Sequence, residues 1–156
     1  MTFAVRATLA VSLAIGAFVP SLGRATVLSP QPTERVEELC EGAATQVETL
    51  TCYLDAATKS RADVERAFEQ NLRKAIALDR DFNADARLHR APRSSLAAHL
   101  KASQAAWLRY SHWQCSFEGS SSVGGSGTDI LEAACHYRLY SQRLSELRAA
   151  GQLLNR

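Results

Sequence analysis

The cysteines and histidines are the residues of this 156-residue chain with the most chemistry to offer. The cysteines are Cys40, Cys52, Cys115 and Cys135. His112 stands three residues before Cys115, and His136 directly follows Cys135. Sets of this kind hold zinc when the thiols are free. In an oxidising compartment the thiols pair instead, and two histidines are too few for a metal site. Haem attachment needs a Cys-x-x-Cys-His run, which the sequence lacks. Glu37 with Glu41, and Glu65 with Glu69, are carboxylates at helical spacing. Acid–base catalysis uses that residue type, but solvated helix faces carry the same spacing. There is no nucleophile elbow, no His-Glu-x-x-His and no Rossmann glycine run. Gly119 to Gly127 has the glycine content of a phosphate-cradling loop, but it lacks the Lys-Ser/Thr ending and follows no strand. No catalytic, cofactor-binding or metal-binding residue is assigned, and the expectation is a binding protein rather than an enzyme.

The N-terminus indicates where the cysteines fold. Arg6 precedes an apolar run from Ala7 to Val19, and Pro20-Ser-Leu-Gly23 follows. Charge, apolar core and small-residue exit is the layout of a secretory signal peptide. The run is shorter than the roughly 20 apolar residues a bilayer span needs. Gly23-Arg24-Ala25 places cleavage after Ala25, with Gly23 the alternative; an uncleaved apolar helix is the competing reading. The expected organisation is a signal peptide over 1–25 and one helical domain over 26–156, periplasmic or secreted. In such a compartment four cysteines read as two bridges. Of three possible connectivities, the local pairs Cys40–Cys52 and Cys115–Cys135 are favoured, each tying a helix to the segment beside it. Loops of that size are stabilised by about 3 kcal/mol each in the chain-entropy description.

Composition excludes other classes. The chain has 18 Lys+Arg and 16 Asp+Glu, and losing Arg6 and Arg24 leaves 16 of each sign. A near-neutral mature chain without a basic stripe is not a nucleic-acid binder. No membrane association is expected of the mature form, and no cofactor. The charge is unevenly placed: nine acids against four bases from Glu34 to Glu69, then eight bases against three acids from Arg73 to Arg109. Helix faces that pair with one another explain this; so does an acidic docking surface for a cationic partner.

Periodicity predicts helices to carry these residues. Thr33 is a plausible cap for a short helix near the N-terminus. From Thr45, the residues Val47, Leu50, Leu54, Ala57, Val64, Phe68, Leu72 and Ala75 recur at steps of three and four, with one miss at Arg61. That predicts a helix to about Leu78, and a connection from Asp79 to Pro92. A second helix follows, capped by Ser94 or Ser95, with Leu96, Leu100, Trp107, Tyr110 and Phe117 on one face. Trp107, Tyr110 and Phe117 read as core. Trp113 lies off that stripe and also reads as covered, by its neighbour Cys115. The Ser/Gly run to Gly127 reads as a flexible connector. Thr128 or Asp129 caps a third helix, with Ile130, Leu131, Ala134, Tyr137, Leu144 and Leu147 as its stripe and Gly151 as its stop. The fold class is all-α: a small disulfide-stapled bundle of about three main helices after a cleaved signal peptide.

Three stretches carry a family likeness. Cys40-Glu-Gly-Ala-Ala-Thr-Gln-Val-Glu-Thr-Leu-Thr-Cys52 resembles the opening of the LprI-type lysozyme-inhibitor family. Gln104-Ala-Ala-Trp107-Leu-Arg-Tyr110, closing at Cys115, resembles its central Gln-x-x-Trp-x-x-aromatic motif. Gly124-Gly125-Ser126, Cys135 and Arg143-Leu-Ser-Glu-Leu147 resemble its C-terminal pattern. Ser111-His112 stands where the family puts an Arg-acid pair, and Tyr140 where it has Thr, so an Arg–carboxylate pair between helices is expected to be missing. The likeness implies an exported, disulfide-bonded helical domain. Its implied partner is a lysozyme or another cationic protein associated with the cell wall. The alternative is a non-catalytic structural or stress protein of the cell envelope without inhibitory activity.

Overall fold

Helix α1, Gln46–His89, starts at a reciprocal cap. The Glu48 amide donates to Thr45 Oγ1 at 3.2 Å, and Glu48 Oε2 accepts from the amides of Thr45 at 3.1 Å and Ala44 at 2.8 Å. These bonds satisfy donors that a helix start otherwise leaves to water. The computed structural model describes residues 38–89, 92–93, 95–125 and 127–155. The expected signal peptide over 1–25, its cleavage after Ala25, the Thr33 cap, Ser94 and Ser126 lie outside the described residues.

Helix α2 is Leu96–Ser120 and α3 is Thr128–Leu153. The described residues contain three long helices and no strand. The bundle is all-α, with bridges Cys40–Cys52 and Cys115–Cys135 at Cα separations of 6.1 and 5.4 Å. Contacts at Asn71–Leu147 and Tyr53–Ala133 set α1 and α3 parallel, and α2 runs antiparallel to both. Helix α3 packs on both neighbours, most extensively on α1.

Four boundaries differ from expectation, each for a local reason. Helix α1 continues to His89 instead of ending near Leu78. Its last turns bury only Ala86, so they show no apolar period although the residues favour helix. Ser95 stands at the N-cap position of α2, but its side chain makes no capping bond; Asp79 of α1 accepts instead from the amides of Leu96 at 2.9 Å and Ala97 at 2.8 Å. Gly119 and Ser120 are helical, so the connector is the shorter turn from Ser121 to Gly127. Gly151 lies inside α3 against the Asn71 side chain and does not stop the helix.

The core also departs from the apolar stripes. Buried positions of α2 are Gln104, Ser111, Cys115 and Gly119. Tyr110, Trp113 and Phe117 are exposed on its outer face. The bridge draws α2 close to α3, and the contact accepts only small or flat groups. A Cβ on Gly119 would stand 3.1 Å from the Thr128 carbonyl oxygen and 3.2 Å from Glu132 Cβ. In α3, Leu131 is exposed and Leu147 buried. One apolar cluster gathers Cys40, Tyr53 and Ala133 with Leu50, Ile130 and Tyr137. The other sets Trp107 against Cys115, Cys135 and Leu139.

Candidate functional site

Three assemblies hold side chains that could act on a partner or ligand. The first is a clamp between α2 and α3. Arg143 is buried, and its Nε donates to Gln104 Oε1 at 3.1 Å. Its Nη2 donates to Ser103 Oγ at 3.3 Å, and Nη1 to Glu146 Oε2 at 3.0 Å. The guanidinium carbon lies 5.7 Å from the centre of the Trp107 ring, which meets the Tyr140 ring at 5.5 Å. Each guanidinium nitrogen makes one of these bonds, using three of its five N–H donors, so this arginine ties α2 to α3. Leu147 backs the clamp: its carbonyl accepts from Asn71 Nδ2 at 2.6 Å. Tyr110 stands apart on the exposed face, and Gly124 and Gly125 lie in the α2–α3 turn.

The second assembly is an open groove of about 340 Å³ between α1 and α2, floored by α3. Leu54, Arg61, Leu108, His112, His136 and Tyr140 contribute to its walls. Arg61, the one break in the α1 stripe, faces this groove rather than packed core, which is why a polar residue is tolerated there. His136 stacks on Tyr140 at 5.8 Å, its Nε2 lies 3.8 Å from Glu132 Oε1, and its buried Nδ1 has no hydrogen-bond partner among the described residues. Burial is the main cause that lowers the His136 pKa, with His112 and Arg61 adding to it and Glu132 opposing. His112 and His136 thus share one groove, but no group of three or more potential metal ligands occurs among the described residues.

The third assembly is one end of the bundle. Antiparallel packing brings the start of α1, the end of α2 and the start of α3 together there. Residues 38–58 and 110–137 carry seven Asp and Glu and no Lys or Arg. Glu48 is engaged in its helix cap, and Glu118 accepts from Arg138 at 2.6 Å. An interhelical Arg–carboxylate pair is therefore present after all, supplied by Glu118, nearly two turns beyond Ser111-His112, and not by those two positions. Burial opposes ionisation of Glu118, but hydrogen bonds from Gln114 and Arg138 outweigh it and lower its pKa. Glu38, Glu41, Asp55 and Asp129 are exposed. Elsewhere on α1 the acids are neutralised along the helix, as Glu65 by Arg61, Asp63 by Arg66 and Glu69 by Arg73.

From this acidic end projects the turn Ser121–Gly127. Far from being a slack connector, it is knitted by hydrogen bonds. Ser122 Oγ and Thr128 Oγ1 are 2.6 Å apart, Thr128 Oγ1 donates to the Gly125 carbonyl at 3.1 Å, and Ser121 Oγ donates to that of Glu118 at 2.6 Å. Val123 at its tip is 90% exposed with φ 49°, and Gly124 follows with φ 76°. A β-branched residue in the left-handed region is strained, and such strain collects at functional positions.

A family model described as "Lysozyme inhibitor LprI" matches residues 40–147, most of the chain and both bridges. The chain belongs to the LprI lysozyme-inhibitor family. No curated protein and no solved structure matches it. Within this LprI domain, the motif residues Gln104, Trp107 and Arg143 converge on the clamp. Tyr110, Gly124 and Gly125 are outside it. Sequence reasoning missed Asp79, Glu118 and Val123. Only Glu118 carried a signal, as the acid nearest the end of α2.

Proposed function

We propose that this protein binds a lysozyme and blocks its cleft, docking through the acidic end and the Ser121–Gly127 turn. Membership of the LprI family over residues 40–147 carries the reading. A family can share a fold without sharing an activity, so the surface has to suit the task. Lysozyme clefts work with two carboxylates flanking the scissile bond, in a channel shaped for an extended glycan. A narrow turn held by its own hydrogen bonds enters such a channel at little entropic cost. The carboxylates of residues 38–58 and 110–137, stretches that contain no Lys or Arg, steer a cationic enzyme toward that turn. Oxidising surroundings, outside the cytoplasm, suit both the partner and the bridges.

The test is a lysis-rate assay on cell-wall substrate. Oxidised protein is titrated against several lysozyme classes at low salt. Dose-dependent slowing of one class that weakens as salt rises supports the proposal. Absence of slowing in every class, with circular dichroism showing folded helix, rejects it and favours a non-inhibitory envelope role.

A further inference from the structure

The end of the bundle opposite the Ser/Gly turn has no part in that docking, and it differs in both charge and exposure. Helix α1 runs about 15 Å past the level at which Asp79 caps α2. In 73–101 and 144–155, the described residues include seven Lys and Arg against four Asp and Glu. The four acids are engaged. Asp79 caps α2, Asp81 pairs with Arg80, Asp85 lies 3.5 Å from His89, and Glu146 holds Arg143. Arg87, Arg93, Lys101 and Arg148 are exposed and form no ion pair with a described residue. Large apolar side chains are exposed at the same end: Ile76 by 50%, Phe82 by 53%, Leu88 by 80% and Leu153 by 62%.

We propose that this basic, apolar end rests on a bilayer surface rich in anionic lipid headgroups. Charge complementarity selects an anionic partner for these four cations, unpaired among the described residues. The exposed apolar groups select a bilayer over a soluble polyanion, because only an interface gives Phe82 and Leu88 somewhere dry to go. No described helix is long and apolar enough to cross a membrane, so the association is peripheral. The same anionic surface repels the acidic end, which turns the Ser/Gly turn outward. The proposal departs from the expectation of no membrane association in the mature form, and it holds whether or not a lysozyme is the partner.

Co-sedimentation with vesicles tests it, using the oxidised chain from Thr26 onward. Phosphatidylcholine vesicles are compared with vesicles containing about 30% phosphatidylglycerol. Partitioning is expected to be roughly tenfold greater on the anionic vesicles and to fall steeply at about 0.5 M salt. Arg87→Glu with Arg93→Glu abolishes binding. Phe82→Ser with Leu88→Ser lowers it several-fold. Glu41→Lys with Asp129→Lys, at the other end, does not lower it. All substituted positions are exposed, and circular dichroism checks that each variant keeps its helix. Equal partitioning on both vesicles, or none on either, overturns the proposal. So does binding that ignores the apolar pair, which would mark a purely ionic site.

Discussion

Arg143 Nε on α3 donates to Gln104 Oε1 on α2 at 3.1 Å, with both residues buried. The bond joins the first residue of the central motif to the arginine of the C-terminal one. Removing Gln104 leaves a buried guanidinium short of an acceptor, and removing Arg143 strips both Gln104 and the Trp107 face. Gln104→Ala is expected to cost about 2–3 kcal/mol and Arg143→Ala about 3–5 kcal/mol of stability in urea titrations. Lysozyme binding by whatever remains folded should be unchanged, because the clamp lies away from the turn.

Gly151 offers a sharper packing test. An added Cβ would stand 2.6 Å from Asn71 Oδ1, and Asn71 is fixed by its own bond to the Leu147 carbonyl. Gly151→Ala should therefore destabilise by about 1–3 kcal/mol, against the usual gain from replacing a helical glycine. A rise in melting temperature would show that Asn71 swings aside freely.

The bridges should open in order. Cys115 and Cys135 are almost wholly buried, whereas Cys52 is part-exposed. A thiolate must reach a sulfur to exchange with it. Limited reduction of the native protein followed by alkylation and peptide mapping should label Cys40 and Cys52 first. Early labelling of Cys115 would contradict the packing described here. Removing the second bridge by Cys115→Ser with Cys135→Ser should cost about 3 kcal/mol.

Two groups give stability a pH dependence of the same sign. The folded protein lowers the His136 pKa, chiefly by burial, so the unfolded chain binds the proton more readily. Stability from neutral His136 is full above its unfolded value of about 6.5 and declines as pH falls through the folded value. Glu118, lowered by Gln114 and Arg138 against its burial, adds stability above its unfolded value of about 4.3 that is lost on further acidification. Melting curves should fall in both windows. His136→Gln should flatten the upper window and Glu118→Gln the lower.

At the tip of the turn, stability and binding should move in opposite directions. Val123 is strained at φ 49° and 90% exposed, so Val123→Gly relieves strain and removes a contact group. Thermal unfolding should show a gain of about 1 kcal/mol, and the lysis assay a weaker inhibitor. A stabilised variant with unaltered inhibition would remove the tip from the docking surface.

Spacing alone pointed to the all-α class, the local bridges and the opening of α1 at Thr45. Helix period and loop closure are local properties, written in residues a few positions apart. The apolar stripe of α2 misled because exposure depends on which face a neighbour covers. The disulfide brings α3 so close that Ser111 and Gly119 fit where Tyr110 and Phe117 would not. Arg61 read as a flaw in a stripe because no local signal reveals an open groove.

The sequence by itself determined that this is a bridged helical domain with acidic and basic stretches of nearly balanced charge. Only the tertiary structure decided that residues 38–58 and 110–137 form one acidic end, because that requires the antiparallel return of α2. It likewise decided that Asp79 caps a helix 17 residues away, and that Gln104 meets Arg143 across 39 residues. Such pairings depend on how helices cross once packed, and no spacing within a single helix encodes that.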